Sequence, residues 1–469
     1  MRARVIDGIL VFEAVVLVYF LLLNAVYLLF SVVAFFRLRT HRRRSGPLGL
    51  DAIVRSSATP GISIIAPAHN EEATVVESVR SLLQLNYPLF EVVLVNDGSK
   101  DNTVQAAIDA FGLIAAPIPA TLALGSQPIR GVYRSPALAD LVVVDKANGG
   151  KADALNAGIS FARYPIVCAI DADSLLEPHA LTRAVVPFVE DPTTVAVGGI
   201  IRIANGCSID GGQVTRVRLP RNPLALVQVV EYLRAFLPGR MTQSAYNGLL
   251  IISGAFGLFQ RKAMIDAGGL RTDTIGEDME IVVRLHKIFR QRREKYRIVF
   301  QPDPVCWTEV PESLGVLGRQ RNRWQRGTLQ VLGFHTGMIG NPRYGGVGLL
   351  SFPYYLLFEA LGPVVELAGY VVTALAVGFG LIDWRYAQLM FLVAIVFGAL
   401  NSVAAVLLEE IAFRRYPRLQ DLLMLTAVAV LENFGYRQLT TYWRVKGIVD
   451  FMRGKRTWGT MTRKGFKNT

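Results

Sequence analysis

Four stretches of the chain are continuously apolar, and the long interval between the first and second is not. From Ala14 to Phe36 only Asn24 and Ser31 interrupt the apolar run, a length that suits a hydrocarbon core of about 30 Å and predicts a transmembrane helix. Three further apolar blocks follow near the C-terminus: Gly346 to Ile382, Ala387 to Leu408 and Leu422 to Leu439. Between Gly61 and about Gly315, short β-branched runs alternate with helical patterns, which predicts an α/β domain. The expected strands are Ile62 to Ala66, Glu91 to Val95, Leu141 to Val144 and Ile166 to Ile170. After the first of them Val75, Val79, Leu82 and Leu83 recur at helical spacing. Phe111 to Asp140, with four prolines, reads as a surface loop; the competing reading turns Arg130, Tyr133 and Arg134 toward lipid or substrate.

Composition supports a membrane part beside a soluble domain, because the mean hydropathy over 469 residues is +0.35. The net charge of +13 does not point to nucleic acid, since no stretch interleaves basic and aromatic residues on a binding face. Positive residues gather instead beside apolar runs, Arg37, Arg39, Arg42, Arg43 and Arg44 after the first and Arg453 to Lys467 after the last, where anionic lipid headgroups lie. Cys168, Cys207 and Cys306 are too few and scattered for a disulfide framework or a zinc site, which suits a reducing compartment.

The first run is too long for a cleaved signal peptide, and its arginines place the following domain in the cytosol. The expected location is the cell's inner membrane, crossed several times. Four simple crossings would leave the basic tail outside, against the same charge rule. Pro363 to Ile382 and Ala387 to Leu408 are therefore expected to pair as crossing helices, with Gly346 to Leu361 at the interface. Leu422 to Leu439 is expected not to cross fully, because Glu432, Asn433, Arg437 and Gln438 are costly in lipid. The rival topology has Gly346 to Ile382 crossing twice, bending at Gly362 and Pro363.

Acidic residues stand repeatedly at predicted strand ends, the edge of an open α/β sheet where ligands bind. Glu71 follows the first strand, Asp97 the second, Asp145 the third, and Asp171-Ala172-Asp173 the fourth. A lone aspartate there is commonly a turn or cap residue; repetition along one edge favours a site. Alternate carboxylates such as Asp171 and Asp173, without His or Cys nearby in sequence, suit Mg²⁺ or Mn²⁺. The turn Lys146-Ala147-Asn148-Gly149-Gly150-Lys151 lets backbone approach a phosphate or base, with Lys151 as a positive partner.

These motifs resemble family 2 glycosyltransferases of the GT-A fold, specifically the processive membrane synthases of cellulose, chitin, hyaluronan and poly-N-acetylglucosamine. The resemblance runs from Ile62 to Gln330 through His69-Asn70-Glu71-Glu72, Val95-Asn96-Asp97-Gly98-Ser99, Gly149 to Asn156, Asp171-Ala172-Asp173, Gly276-Glu277-Asp278 and Gln320-Arg321-Asn322-Arg323-Trp324. It implies a GT-A, Rossmann-like cytosolic domain joined to an α-helical transmembrane region. It also implies that Glu71 and Asp97 contact the uridine of a UDP-sugar, with Lys151 and Asp171 close by. Asp173, with Asp171, would hold the metal, and Asp278 would be the general base. Gln320, Arg323 and Trp324 would lie beside the diphosphate and acceptor.

The chemistry makes a compatible demand. A metal-bound diphosphate leaves without acid help, whereas an acceptor hydroxyl needs one base, so a single opposed carboxylate gives inversion and a β-linked product. The expected reaction extends a β-linked polysaccharide from UDP-N-acetylglucosamine, or next UDP-glucose, with product passing into the membrane. A small membrane subunit is an expected additional partner. The alternatives are single transfer to a membrane lipid and a silent scaffold or transport subunit, the latter opposed by five intact residues, Asp97, Asp171, Asp173, Asp278 and Trp324. The expected organisation is an anchor (1–45), a catalytic domain (46–315), interfacial helices (316–361), membrane helices (362–442) and a basic cytosolic tail (443–469).

Overall fold

Helix α1 (Arg2–Arg44) is apolar around its whole circumference through the segment read as a span, so no single face marks it as a surface helix. The structure, a computed structural model, describes residues 2–44, 56 and 59–455. Through the soluble part the elements run β1 (Ile62–Ala68), α2 (Val75–Leu83), β2 (Phe90–Asp97), α3 (Thr103–Phe111), β3 (Ile114–Ala116), β4 (Ile129–Arg134), β5 (Leu141–Lys146), α4 (Lys151–Phe161), β6 (Ile166–Ile170), β7 (Leu175–Leu176), α5 (Ala180–Glu190) and β8 (Thr194–Ile203). They continue with β9 (Ser208–Asp210), β10 (Gln213–Arg216), α6 (Pro223–Arg234), α7 (Arg240–Ala245), β11 (Phe256–Gln260), α8 (Arg261–Asp266), α9 (Glu277–Arg292), β12 (Arg297–Thr308) and α10 (Leu314–Phe334).

Ten strands form one mixed sheet in the order β3-β4-β5-β2-β1-β6-β11-β8-β12-β7, and its centre, β5-β2-β1-β6, is parallel. These four strands read as nearly unbroken apolar runs because helices cover both faces of a parallel sheet. On α2 the buried residues Val75, Val79 and Leu82 fall on one stripe, as a helix laid on a sheet requires. The chain leaves β1 toward β2 and β5, then returns to place β6 on the other side of β1. That reversal opens a crevice beyond the C-terminal ends of β1 and β6.

Three strands run further than their apolar residues predict. β1 extends to Ala68, β2 to Asp97 and β5 to Lys146, with Asn96 opposite Asp145 and Asp97 opposite Lys146. The segment Phe111 to Asp140 is also more ordered than a surface loop. β3 and β4 form an antiparallel hairpin on the sheet edge, and Tyr133 packs against the core. Arg130, Tyr133 and Arg134 therefore belong to the second strand from the sheet edge, away from the cavity described below.

Beyond α10 a helical run from Val347 to Gly378 contains wider π-type turns before a bend at Leu361 and ends in α11 (Gly362–Gly378). It is followed by α12 (Trp384–Ala412), α13 (Leu419–Leu431) and α14 (Tyr436–Met452). Among the described residues three helices are long and apolar enough to cross a membrane: Ile6–Arg42, Val347–Gly378 and Ala387–Ala412. Pro363 to Ile382 and Ala387 to Leu408, expected to pair as crossing helices, fall largely in the last two of these but pack only slightly on each other. α12 packs chiefly on α1 and α13, and α11 on α14 and α1, so the N-terminal helix takes the place each was expected to offer the other. The block Leu422 to Leu439 is not one helix, since the chain breaks between α13 and α14. Its polar residues are engaged: Glu432 receives Arg234 and Ser402, and Arg437 meets Glu366 at 3.0 Å.

The membrane helices are tied to the soluble domain by charge. Arg202 on β8 pairs with Glu409 on α12 at 2.7 Å, both nearly inaccessible, and Arg415 reaches Glu177 at 2.8 Å. Arg42 at the end of α1 donates to the Ile411 carbonyl. Of the basic tail, Arg444, Lys446, Arg453 and Lys455 are described, and Arg456, Arg463, Lys464 and Lys467 lie outside the described residues.

Candidate active site

A cavity of about 990 Å³ begins at the crevice beyond β1 and β6 and reaches the membrane helices. Glu71, Asp97, Lys151, Asp171, Asp278, Gln320, Arg323 and Trp324 all line it. Asp173, two residues beyond Asp171 and half-buried, is not among the lining residues.

At the sheet end the local fold follows from Asp97. Its carboxylate accepts from the Gly149 and Gly150 amides at 2.9 and 2.7 Å and from Lys146 Nζ at 2.5 Å. A carboxylate just ahead of α4 suits the positive end of that helix. Gly98 follows at φ 63°, and a Cβ there would come within 2.6 Å of the Asn148 nitrogen, so only glycine lets the two turns meet. Asp97 therefore shapes the wall by holding the glycine turn. His69 Nδ1 and Asn148 Nδ2 both donate to the Asp97 carbonyl, which adds two polar groups to this end. Glu71 accepts from Thr74 Oγ1 at 2.6 Å.

Lys151, the first residue of α4, pairs with Asp171 and donates to the Gly254 carbonyl at 3.0 Å. Burial works against the ammonium, and Asp171, Glu277 and Asp278 together outweigh it, so the Lys151 pKa lies above its ordinary value. The amide of that same Gly254 donates to Asp278 Oδ2 at 3.1 Å, and Asp278 Oδ1 accepts from the Met279 amide at 2.8 Å. One peptide segment thus joins the Lys151–Asp171 pair to Asp278.

Asp278 opens α9, and Trp324 lies on α10. The two helices approach through Gly276 and Gly327, where a Cβ on either would sit 3.3 Å from the other's backbone. Trp324 is 44% exposed, with the Arg321 guanidinium 4.3 Å from its ring centre. Arg321 is anchored on Glu231 at 2.7 Å, as is the Tyr436 hydroxyl. Gly327→Val is expected to push α10 from α9 and lower turnover by on the order of 10²-fold, since a displacement of about 1 Å carries that cost. Rate and UDP affinity measured together check this; an unchanged rate would mean the contact does not set the geometry.

Glu277 is buried next to Asp278. Burial, reinforced by the Asp278 charge, pushes its pKa from 4.5 up to about 7. The native state keeps this proton where the unfolded chain has released it, so the unfolded state binds fewer protons. Stability therefore falls as pH rises from about 4.5 to about 7 and levels beyond. Glu277→Gln is expected to remove that decline, read as melting temperature at about pH 5 and about pH 7.5. A decline of equal size in both proteins would assign the proton elsewhere.

Asp171 and Asp173 offer hard oxygen donors, and the ammonium of Lys151 already brings positive charge to Asp171. Among the described residues no group of three or more His, Cys, Asp or Glu is placed to hold an ion. Two carboxylates alone would leave a divalent cation such as Mg²⁺ to take its remaining ligands from phosphate oxygens and water.

Sequence reasoning missed several residues of this cavity. Arg240, Gln243, Glu231 and Tyr355 line it from helices that carry no motif. Asp145, expected among the acids of the binding edge, instead accepts from Asn96 at 2.6 Å and does not line the cavity.

The family model described as "Glycosyltransferase like family 2" matches residues 60–327, which carry every one of these motifs. The chain belongs to that family. It is 33% identical over 273 residues to the poly-beta-1,6-N-acetyl-D-glucosamine synthase of Staphylococcus epidermidis, a match covering 58% of this chain and 55% of the relative. The corresponding synthase of Staphylococcus aureus (strain COL) is 32% identical over the same length and coverage. The chain thus matches only about half the length of these curated relatives. Among solved structures, a mannosyltransferase from Pyrobaculum calidifontis in complex with GDP-Man and Mn²⁺ resembles it with a TM-score of 0.50 at 20% identity, over 88% of this chain and 99% of the other. The GT-A fold is common to both.

Proposed function

We propose that this glycosyltransferase extends a β-linked polysaccharide, with inversion, from a UDP-sugar, UDP-N-acetylglucosamine before UDP-glucose. One observation carries the reading: Asp278 stands in the same cavity as the Lys151–Asp171 pair and Trp324, joined to the pair through Gly254. The donor lies with its nucleotide against the Asp97 turn and its diphosphate toward Lys151 and Asp171. Asp171 and Asp173 would hold Mg²⁺ or Mn²⁺, which supplies charge stabilisation to the departing diphosphate. Asp278 takes the proton of the acceptor hydroxyl from the side opposite the leaving group. Arg323 and Gln320 orient the phosphates, and the open face of Trp324 stacks on the acceptor sugar.

Polymer rather than single addition is favoured by the cavity's extent, since Tyr27, Ser31, Asn401 and Glu359 on the membrane helices line the same space as Asp278. A chain leaving the base has a route into the bilayer there. A cytosolic catalytic domain is supported by Arg37, Arg39 and Arg42 sharing one end of the bundle with Arg414, Arg415 and Arg418. Purified protein given a panel of labelled UDP-sugars is expected to release UDP and form β-linked polymer from UDP-N-acetylglucosamine. One-sugar glycolipid as the sole product would establish lipid transfer, and no release from any donor by folded protein would remove the enzymatic reading.

A further inference from the structure

Arg240 and Gln243 stand three residues apart on α7, so they share one face of that helix, and both line the cavity. Gln243 is 3% exposed, and its Oε1 atom has no hydrogen-bond partner; the buried Nη1 of Arg240 has none either. Arg240 lies over the Phe236 ring at 3.8 Å and makes no ion pair among the described residues. Burial pushes its pKa down to about 10, with Asp278 and Tyr355 close enough to oppose the shift. A buried donor without an acceptor beside a buried acceptor without a donor is unfavourable twice over in a folded protein. Together they are the complement of a group that carries an acceptor and a donor on two different atoms.

An amide is such a group. A hydroxyl offers both functions from one oxygen, whereas an amide presents its carbonyl and its N–H from different atoms of one plane. That arrangement matches two separate side chains, and Tyr355, hydrogen-bonded to the Gln243 side chain, lines the same wall. Lys151 and Asp171 reach Asp278 through Gly254, while α7 packs on α1, with Thr242 Oγ1 donating to the Phe30 carbonyl at 3.0 Å. The occupant is thus on the acceptor's path toward the membrane helices.

We infer that Arg240 and Gln243 form a subsite for the acetamido substituent of an acceptor sugar, its carbonyl receiving from Arg240 and its N–H donating to Gln243. The inference rests on the synthase reading above and deepens it by making the polymer itself, and not only the donor, recognised as N-acetylated.

The test is binding to the UDP-loaded protein of two β-1,6-linked tetrasaccharides, one of N-acetylglucosamine and one of glucose. Wild type is expected to favour the N-acetylated chain by on the order of tenfold or more, because a site built to hydrogen-bond a group rejects the analogue without it. Arg240→Met and Gln243→Met are each expected to reduce that preference toward unity. A ratio of two affinities within one preparation does not depend on the folded fraction, and if neither variant folds the wild-type ratio decides. No discrimination by wild type overturns the subsite, as does an equal loss of both ligands in the variants. A loss confined to UDP-N-acetylglucosamine against UDP-glucose, with the tetrasaccharide ratio intact, overturns it too, because the group would then belong to the donor. UDP release is scored separately: intact discrimination without transfer from any donor would sink the synthase reading and leave the subsite.

Discussion

Asp278→Asn is expected to stop sugar transfer while UDP still binds. The substitution keeps the side chain's size and its place at the start of α9, so the Gly276–Gly327 contact is undisturbed. It removes the ability of this side chain to take a proton. Of the two backbone donors that Asp278 now satisfies, Gly254 and Met279, an amide oxygen can serve one. A positioned general base contributes about 10² to 10⁴-fold, so incorporation of labelled sugar is expected to fall by that factor. The nucleotide end of the cavity is built from Asp97, Lys151 and the glycine turn, none of which bonds to the Asp278 side chain directly, so UDP affinity is expected to change little. Polymer formed at a near-normal rate would show that another group removes the proton, and Glu277, buried beside it, would be the first to examine.

The parallel centre of the sheet was legible because its strands are buried on both faces and so carry almost no polar residue. β6 lies at the residues where its apolar run places it, Ile166 to Ile170. β2 and β5 run further because Asn96, Asp97 and Lys146 are polar yet paired across the sheet and buried, a combination periodicity does not register. The β3–β4 hairpin was hidden for the opposite reason. Its strands are short and stand among Pro117, Pro119, Pro128 and Pro136, so turn signals outweigh the alternation of Arg130, Val132 and Arg134.

In the membrane, the expected side of the basic tail made α11 and α12 a crossing pair, and a count of crossings does not say which helices pack together. The three long helices there are apolar, and apolar pattern alone does not choose partners; close fit and polar contacts do. α12 meets α1 at Asn401, whose side chain donates to Asn24, and α11 meets α1 where Thr373 donates to Glu13. Motif residues in the cavity were readable because chemistry demands particular types at strand ends. Arg240 and Gln243 were not, since they follow a π-type turn at Ala235–Gly239 on helices that carry no repeated chemical signature.

Lys146→Met is expected to destabilise the folded domain by about 3–5 kcal/mol, the cost of leaving buried charge without its partner. Lys146 is wholly inaccessible and lies between two buried carboxylates, Asp97 at 2.5 Å and Asp153 at 2.6 Å. Asp153 also accepts from the Gln127 amide through both oxygens at 3.1 Å, so the ammonium links the edge segment before β4, the glycine turn and β2. Methionine fills a similar volume, which separates loss of charge from loss of packing. Backbone amides from Gly149, Gly150 and Gln127 remain, but they are dipoles and do not balance two negative charges at that depth. Thermal unfolding of the purified protein measures the loss. Adding Asp153→Asn to Lys146→Met is expected to recover part of it by removing one of the two stranded charges, with Asp97 left in place to hold the turn. A single variant that melts with wild type, or a double variant no better than the single, would mean that the charge balance at Lys146 does not support the sheet edge on which the nucleotide end of the cavity is built.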